Sequence, residues 1–400
     1  MQQRVSGASV EFSLAWLLHP VPVAAFLDDI WGATHCHVKR GRAGYFDGIL
    51  RGSSAIEQLL ELYRREPLAV GLVRGNEKKG SDTFRLADGT LDLVRVRNDF
   101  ADGYTIVLDS VEQYVRAIAC LSHAIEVELN FPTKVNAYIT PPQSQGFVPH
   151  YDEHDVLILQ IQGSKIWHLY NGAEVPPHEM RRQVPVDHAR LPPPTDLCLE
   201  AGDVLYLPRG KVHAAETTLQ PSVHLTVGVH APTVLRLVTR ALYSLSFQDD
   251  RVHTQLPPRH LDDADVRASV SDLVHDIVRA LEEPSVIAEG LGELGDVLVH
   301  RGRCPPIGQI SDAAGIDGQT LVRKYQPLYS RVTADAGGVA LHFAQLAINA
   351  GLDHHAAMVF LSDSTQPFRV CELPGLRVEQ QIELARTLIV SGFLVRLPDD

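Results

Sequence analysis

Apolar residues change their spacing along this chain, and the changes divide it into parts. Phe12, Leu14, Trp16, Leu17 and Leu18 cluster, and Val23, Phe26, Leu27, Ile30 and Trp31 then recur at helical spacing. Ala55 to Tyr63 repeats the pattern, so residues 12–75 are read as helical segments. Val111, Tyr114, Val115, Ile118, Ala119 and Leu121 share one face and predict another helical stretch over 104–131. From about 134 the texture alternates. Val135 to Ile139, Val156 to Gln162, Lys165 to Tyr170, Leu197 to Leu199, Val204 to Leu207 and Val223 to Val229 read as short strands between Gly and Pro turns. Strands at this spacing predict a small β-barrel or sandwich. Beyond about 233 helical periodicity returns, over Val234 to Leu245 and Val266 to Leu281. Cys304-Pro305-Pro306 marks a boundary. After it a β-rich piece (Tyr325 to Val339), a helix (His354 to Leu361), Phe368-Arg369-Val370 and a last helix (Glu379 to Val390) resemble a winged-helix module.

Length and composition narrow the class. Four hundred residues predict two or three domains, and an apolar fraction of 45% suffices for a real core. A net charge of -13 disfavours a general nucleic-acid or anionic-membrane binder. The C-terminal stretch from Pro306 to Asp400 carries seven Lys/Arg against ten Asp/Glu, so its winged helix is expected to pack against or recognise protein. Five widely spaced cysteines without a CxxC fit reduced thiols, the N-terminus does not read as a signal peptide, and no run is long enough to span a membrane. The expected location is cytoplasmic.

The candidate chemistry lies in His150-Tyr151-Asp152 and Pro208-Arg209-Gly210-Lys211-Val212-His213. Residues at i and i+2 of a strand point to the same face, so His150 and Asp152 can reach one point. His213, presented by a strand and a turn, can supply a third ligand. Two imidazoles and one carboxylate on one side of a metal leave other positions open, which suits Fe(II), a 2-oxo acid and dioxygen. An HxD pair alone also occurs beside ordinary turns; the frame that delivers His213 is what favours a metal. Lys165 begins a strand with Ile166, Trp167 and Leu169 as neighbours. It either faces the barrel interior, where it requires a counter-anion such as the distal carboxylate of 2-oxoglutarate, or lies on the solvent face with its stem over apolar surface. Tyr138 and Asn136 alternate on the preceding strand, as co-substrate contacts or as ordinary strand residues. His35, His37, His154, His168, His224 and His230 have no second ligand at useful spacing and are read as structural or solvent-exposed.

Three segments carry a family resemblance. The run from Asn136 to Asp152 (NAYITPPQSQGFVPHYD), the Gln162-Gly163-Ser164-Lys165-Ile166-Trp167 strand and the Leu207-Pro208…His213 strand look like the JmjC-type ribosomal oxygenases, the cupin 4 family of 2-oxoglutarate-dependent protein hydroxylases. The resemblance implies an α+β chain built on a double-stranded β-helix (JmjC/cupin barrel) with flanking helices over 1–233. It also implies a helical dimerisation region over 234–304 and a winged-helix domain over 305–400. It implies an Fe(II) triad of His150, Asp152 and His213, with Lys165 and Tyr138 anchoring 2-oxoglutarate; Asn136, alternating with Tyr138, is a further candidate contact. The expected activity is hydroxylation of a protein or peptide side chain, a ribosomal-protein histidine or arginine by resemblance, in a homodimer. A natural-product peptide or free amino acid as substrate, and a non-catalytic metal-binding interaction protein, are the alternatives. One position departs: where relatives often place a small hydroxyl residue on the last core strand, this chain has Gly228, with Thr226 or water as substitutes.

Overall fold

Buried on both faces, the strand Asp155–Gln162 shows how the N-terminal half is assembled. Val156 and Ile158 point into one apolar cluster with Trp167, Leu169, Leu199, Leu205 and Leu207. Leu157, Leu159 and Ile161 point the other way, into a larger cluster with Leu14, Leu17, Phe26, Ile118 and Ile125. A strand covered on both sides reads as an unbroken apolar run, which is why this one stood out in the sequence. Each fully buried Leu or Ile contributes roughly 1.5–3 kcal/mol.

The computed structural model describes residues 12–178, 185–301, 315–325 and 329–397. The chain divides into two compact units, Met1–Ala231 and Pro232–Asp400. Eleven strands build the first: β1 (Cys36–Val38), β2 (Val70–Arg74), β3 (Glu77–Lys78), β4 (Thr105–Leu108), β5 (Thr133–Thr140), β6 (Asp155–Gln162), β7 (Ser164–Leu169), β8 (Thr195–Glu200), β9 (Val204–Leu207), β10 (His213–Glu216) and β11 (Ser222–Val229). Eight form one sheet in the order β1-β9-β6-β11-β5-β4-β2-β3, and three form a second in the order β10-β7-β8. Every strand pair in both sheets is antiparallel.

Side-chain alternation divides the large sheet into two faces. On β5, Val135, Ala137 and Ile139 join the cluster beneath the N-terminal helices, as Val223, Leu225, Val227 and Val229 do on β11. The intervening residues, Tyr138 on one strand and His224 and Thr226 on the other, face a chamber. The helix Arg116–Leu129 lies against the apolar face through Ile118, Leu121 and Ile125 and ends at Asn130 in the left-handed conformation.

Two stretches differ from their sequence reading. Residues 104–131 are not helical throughout: Thr105–Leu108 is strand β4, and the helix begins at Arg116. All four residues of β4 are buried, so it shows no alternation, and its Thr-Ile-Val run is β-branched. Residues 12–75, read as helical, also contain β1 and β2.

The second unit begins with the helices Val234–Leu245, Ala264–Leu281 and Pro284–Arg301. Ala241, Leu245 and Val286 form their core, and Gly290 lets its helix approach Ala241, where a Cβ would lie 3.0 Å from the Ala241 Cβ. β12 (Leu321–Lys324), β16 (Phe368–Arg369) and β17 (Leu394–Arg396) form one small sheet. β13 (Arg331–Asp335), β14 (Gly338–Phe343) and β15 (Leu346–Ala350) form another. The helices His355–Asp363 and Val378–Val390 share a core with them through Met358, Leu361, Leu388 and Phe393. The boundary expected at Cys304-Pro305-Pro306 lies outside the described residues. Among the described residues no helix is long and apolar enough to cross a membrane.

Candidate metal centre and its chamber

His150 and His213 are joined through their main chains before their side chains meet. Each donates its backbone N–H to the other's carbonyl, at 3.0 and 2.8 Å, and their rings lie 4.5 Å apart. The Pro208–Gly210 turn ties in the third residue, as Gly210 N–H donates to the Asp152 carbonyl at 2.8 Å. Gly210 adopts φ +81°, and a Cβ there would sit 2.3 Å from the Val175 carbonyl oxygen, so this turn requires glycine.

The ring orientations follow from the Nδ1 atoms. His150 Nδ1 pairs with the Val148 carbonyl and His213 Nδ1 with the Lys211 carbonyl, each at 2.9 Å. With Nδ1 tied to a carbonyl, Nε2 is the free ligand atom. His213 Nε2 lies 3.7 Å from Asp152 Oδ2, and the three candidate ligand atoms all fall within 4.8 Å of one another. Among the described residues this is the one such group of three or more metal-ligating side chains. Burial and the neighbouring His150 push the His213 imidazole down, toward the neutral form a metal binds. The Lys211 segment is pinned in turn, because Lys211 Nζ donates to Glu174 Oε1 at 2.6 Å and to Asn171 Oδ1 at 2.7 Å.

Beside the triad is a chamber of about 190 Å³. Lys165, only 4% exposed, enters it from β7, and its ammonium donates to Thr140 Oγ1 at 3.0 Å. Burial pushes the Lys165 ammonium down from 10.5 to about 7. A cation this deep, with a hydroxyl as its hydrogen-bond partner, is a site for an anion. His224 is buried and stacks on Tyr138 with ring centroids 4.8 Å apart. Burial and the nearby Lys165 push it well down, and its Nδ1 has no hydrogen-bond partner. The buried Trp167 Nε1–H likewise has none, in both cases among the described residues.

The site residues proposed from sequence do not all converge. His150, Asp152, His213, Lys165 and Tyr138 line the one chamber. Asn136 is not among the chamber residues: it lines a second cavity of about 510 Å³ with Lys78, Ser81, Asp109 and Val107, its Oδ1 accepts from Ser110 N–H at 3.1 Å, and its side chain also bonds Tyr138, which lines both cavities. Tyr138 and Phe147, 6.3 Å apart edge to face, line both cavities. Burial and the Asp152 charge push the Tyr138 phenol up, so it remains a neutral donor. His224 was read as structural or exposed, yet it is a chamber wall. Its parity with Thr226 on β11 was the available signal. Thr140 shares the parity of Tyr138 and could have been found in the same way. Thr105, from the misread β4, could not. At Gly228 the room a side chain would take is filled by His154, whose Nε2 would lie 2.6 Å from an added Cβ, and Thr226, two residues earlier, lines the chamber.

Residues 113–237 match the JmjC domain family. The chain is 31% identical over 224 residues to a protein of Drosophila mojavensis named bifunctional lysine-specific demethylase and histidyl-hydroxylase NO66, covering 54% of this chain and 24% of that one. The Drosophila melanogaster protein of the same name is 32% identical over 226 residues, covering 54% and 33%. The chain thus spans a quarter to a third of the length of these relatives. Among solved structures, the Escherichia coli ribosomal oxygenase YcfD superposes with a TM-score of 0.56 at 18% identity, over 94% of this chain and 98% of that one. A YcfD structure with cobalt and 2-oxoglutarate gives 0.57 at 16%, over 95% and 99%. At these identities the likeness is one of fold.

Proposed function

We propose, from the premise that this chain carries a JmjC domain, that it uses Fe(II), 2-oxoglutarate and dioxygen to hydroxylate a side chain of a protein. The observation that carries the reading is the convergence of His150, Asp152 and His213 beside a buried lysine that requires an anion. The donor set, two imidazoles and a carboxylate, suits Fe(II). When bound, the metal with its co-substrates supplies the oxidising power that converts C–H to C–OH.

The chain's own residues do the rest. His150, Asp152 and His213 hold the metal. Lys165 and the Thr140 hydroxyl receive the distal carboxylate, and with that carboxylate present Lys165 is held protonated. Tyr138, His224 and Trp167 wall the chamber against bulk water. Asn136, engaged by Ser110, is assigned to the outer cavity rather than to the co-substrate. That cavity, which meets the chamber at Tyr138 and Phe147, takes the polypeptide next to the reacting residue. The names of the relatives make a ribosomal-protein histidine the first target to try, and the family resemblance adds arginine as the second.

The same reading extends to assembly. Leu235, Val238 and Leu242, spaced along one helix, are 47%, 42% and 36% exposed, with Val234 and Phe247 more exposed still. A second copy of this chain covers that row, in a cytoplasmic homodimer whose acidic C-terminal module contacts protein and not nucleic acid. Sedimentation tests the dimer: a monomer at micromolar concentration removes it.

The activity is tested with purified chain, Fe(II), 2-oxoglutarate and ribosomal-protein peptides. The expected result is succinate together with a peptide heavier by one oxygen, both absent in His150→Ala. Succinate no higher than in the metal-free control, with every peptide, sinks the proposal. Loss of a methyl group from a methyl-lysine peptide, with no oxygen gain on any other, moves the assignment to demethylation.

A further inference from the structure

Thr140 is fully buried in β5, and its Oγ1 accepts two hydrogen bonds. Lys165 Nζ donates from 3.0 Å and the Thr105 hydroxyl from 3.2 Å. A hydroxyl has two lone pairs and one proton. With both lone pairs taken, the proton is left to be donated, and Thr140 Oγ1 acts only as an acceptor in its hydrogen bonds among the described residues. Thr140 lies just behind the chamber wall, bonded to two residues that line it, Lys165 and Thr105. A buried donor without an acceptor is costly, and a carboxylate drawn to the Lys165 ammonium comes within reach of this one.

Register brings Thr105 to this point. Ile106 pairs with Ile139 and Val107 with Tyr138, so Thr105 continues the antiparallel pairing opposite Thr140, with its side chain on the same face. Thr105 is 1% exposed and lines the chamber. Gly146 keeps its space open: a Cβ there would lie 2.9 Å from Thr105 Oγ1 and 3.3 Å from its Cβ. Thr105 precedes the residues matched to the JmjC domain and comes from β4, the neighbour of β5 in the large sheet.

The geometry points to Thr105 as a positioning residue for the co-substrate: its hydroxyl, by donating to Thr140 Oγ1, turns the Thr140 proton toward the distal carboxylate that Lys165 holds. This rests on the reading that the chamber binds 2-oxoglutarate. No bond to carbon is made or broken by Thr105; it fixes the direction of one donor. Thr105→Val keeps the shape and removes the donor, after which the Thr140 proton is free to turn away. Gly146→Ala keeps the hydroxyl and displaces it.

The test is equilibrium binding of 2-oxoglutarate to Co(II)-loaded protein under argon, by calorimetry, with unfolding temperature as the control for folding. Thr105→Val is expected to bind 2-oxoglutarate roughly tenfold more weakly, the loss of about one charge-assisted hydrogen bond. Co(II) affinity is expected to be unchanged, Thr105→Ser to restore binding, and Gly146→Ala to weaken it in the same direction. In turnover the loss is expected in KM for 2-oxoglutarate and not in kcat. Thr105→Val binding within twofold of wild type, or no rescue by serine, overturns the assignment. Wild-type protein that binds Co(II) but not 2-oxoglutarate overturns the chamber reading itself, and this inference with it.

Discussion

Replacing Lys165 by methionine is expected to stabilise the co-substrate-free protein while destroying its affinity for 2-oxoglutarate. Lys165 is buried, and burial brings its ammonium from the ordinary 10.5 to about 7. Each tenfold change in proton affinity corresponds to about 1.36 kcal/mol. Burying the lysine in the folded, empty protein therefore costs up to about 5 kcal/mol below pH 7, where it stays charged, and about 3 kcal/mol at pH 8, where folding strips its proton. The sign follows from proton counting. Between pH 7 and 10.5 the unfolded chain holds the lysine proton and the folded chain releases it, so stability rises with pH through that window. Lys165→Met removes both the cost and this slope, and its unbranched chain fills a similar volume. On the binding side, losing a buried partner of a carboxylate costs roughly 3–5 kcal/mol, or about two to four orders of magnitude in Kd. Urea unfolding of metal-free protein from pH 6 to 10, with calorimetric titration of 2-oxoglutarate into Co(II)-loaded protein, measures both quantities. A Lys165→Met protein less stable than wild type at pH 8, or one that binds 2-oxoglutarate within threefold of wild type, refutes the reasoning.

Three other outcomes are expected. His150→Ala should abolish the visible absorption of bound Co(II) while circular dichroism is retained, because the main-chain pairing with His213 survives the substitution; an unchanged Co(II) spectrum removes His150 from the ligand set. Gly210→Ala forces a Cβ against the Val175 carbonyl at positive φ, so it should cost at least ~1 kcal/mol in urea unfolding and weaken metal binding; wild-type values in both measurements contradict the role given to this turn. Asn136→Ala should leave the Kd for 2-oxoglutarate unchanged and raise KM for a peptide substrate several-fold, roughly the loss of one hydrogen bond; a weakened co-substrate Kd returns Asn136 to the inner chamber.

The parts of this molecule legible in its sequence are those where local pattern and tertiary role agree. β6 announced itself because both its faces are covered. His150 and Asp152 do not lie on a strand as the two-residue spacing suggested: His150 forms an isolated bridge to His213 and Asp152 follows it outside any strand, yet both reach the same cluster. β4 was misread because a short strand buried on every side has no period to distinguish it from a helix turn, and Thr105 was lost with it. Asn136 shows a different limit. Its parity matches that of Tyr138, but which cavity a strand residue meets depends on the neighbouring strand and on competitors for its polar atoms, here the Ser110 amide. His224 looked unremarkable because nothing near it in sequence reveals that Lys165 and Tyr138 arrive from other strands.

Turnover under dioxygen labelled with heavy oxygen, with Fe(II) and 2-oxoglutarate present and the succinate examined by mass spectrometry, decides whether the triad drives oxidative decarboxylation. One labelled oxygen is expected in each succinate, and none of this product in Asp152→Ala. Succinate without label, or an undiminished yield from Asp152→Ala, would contradict that role of the triad.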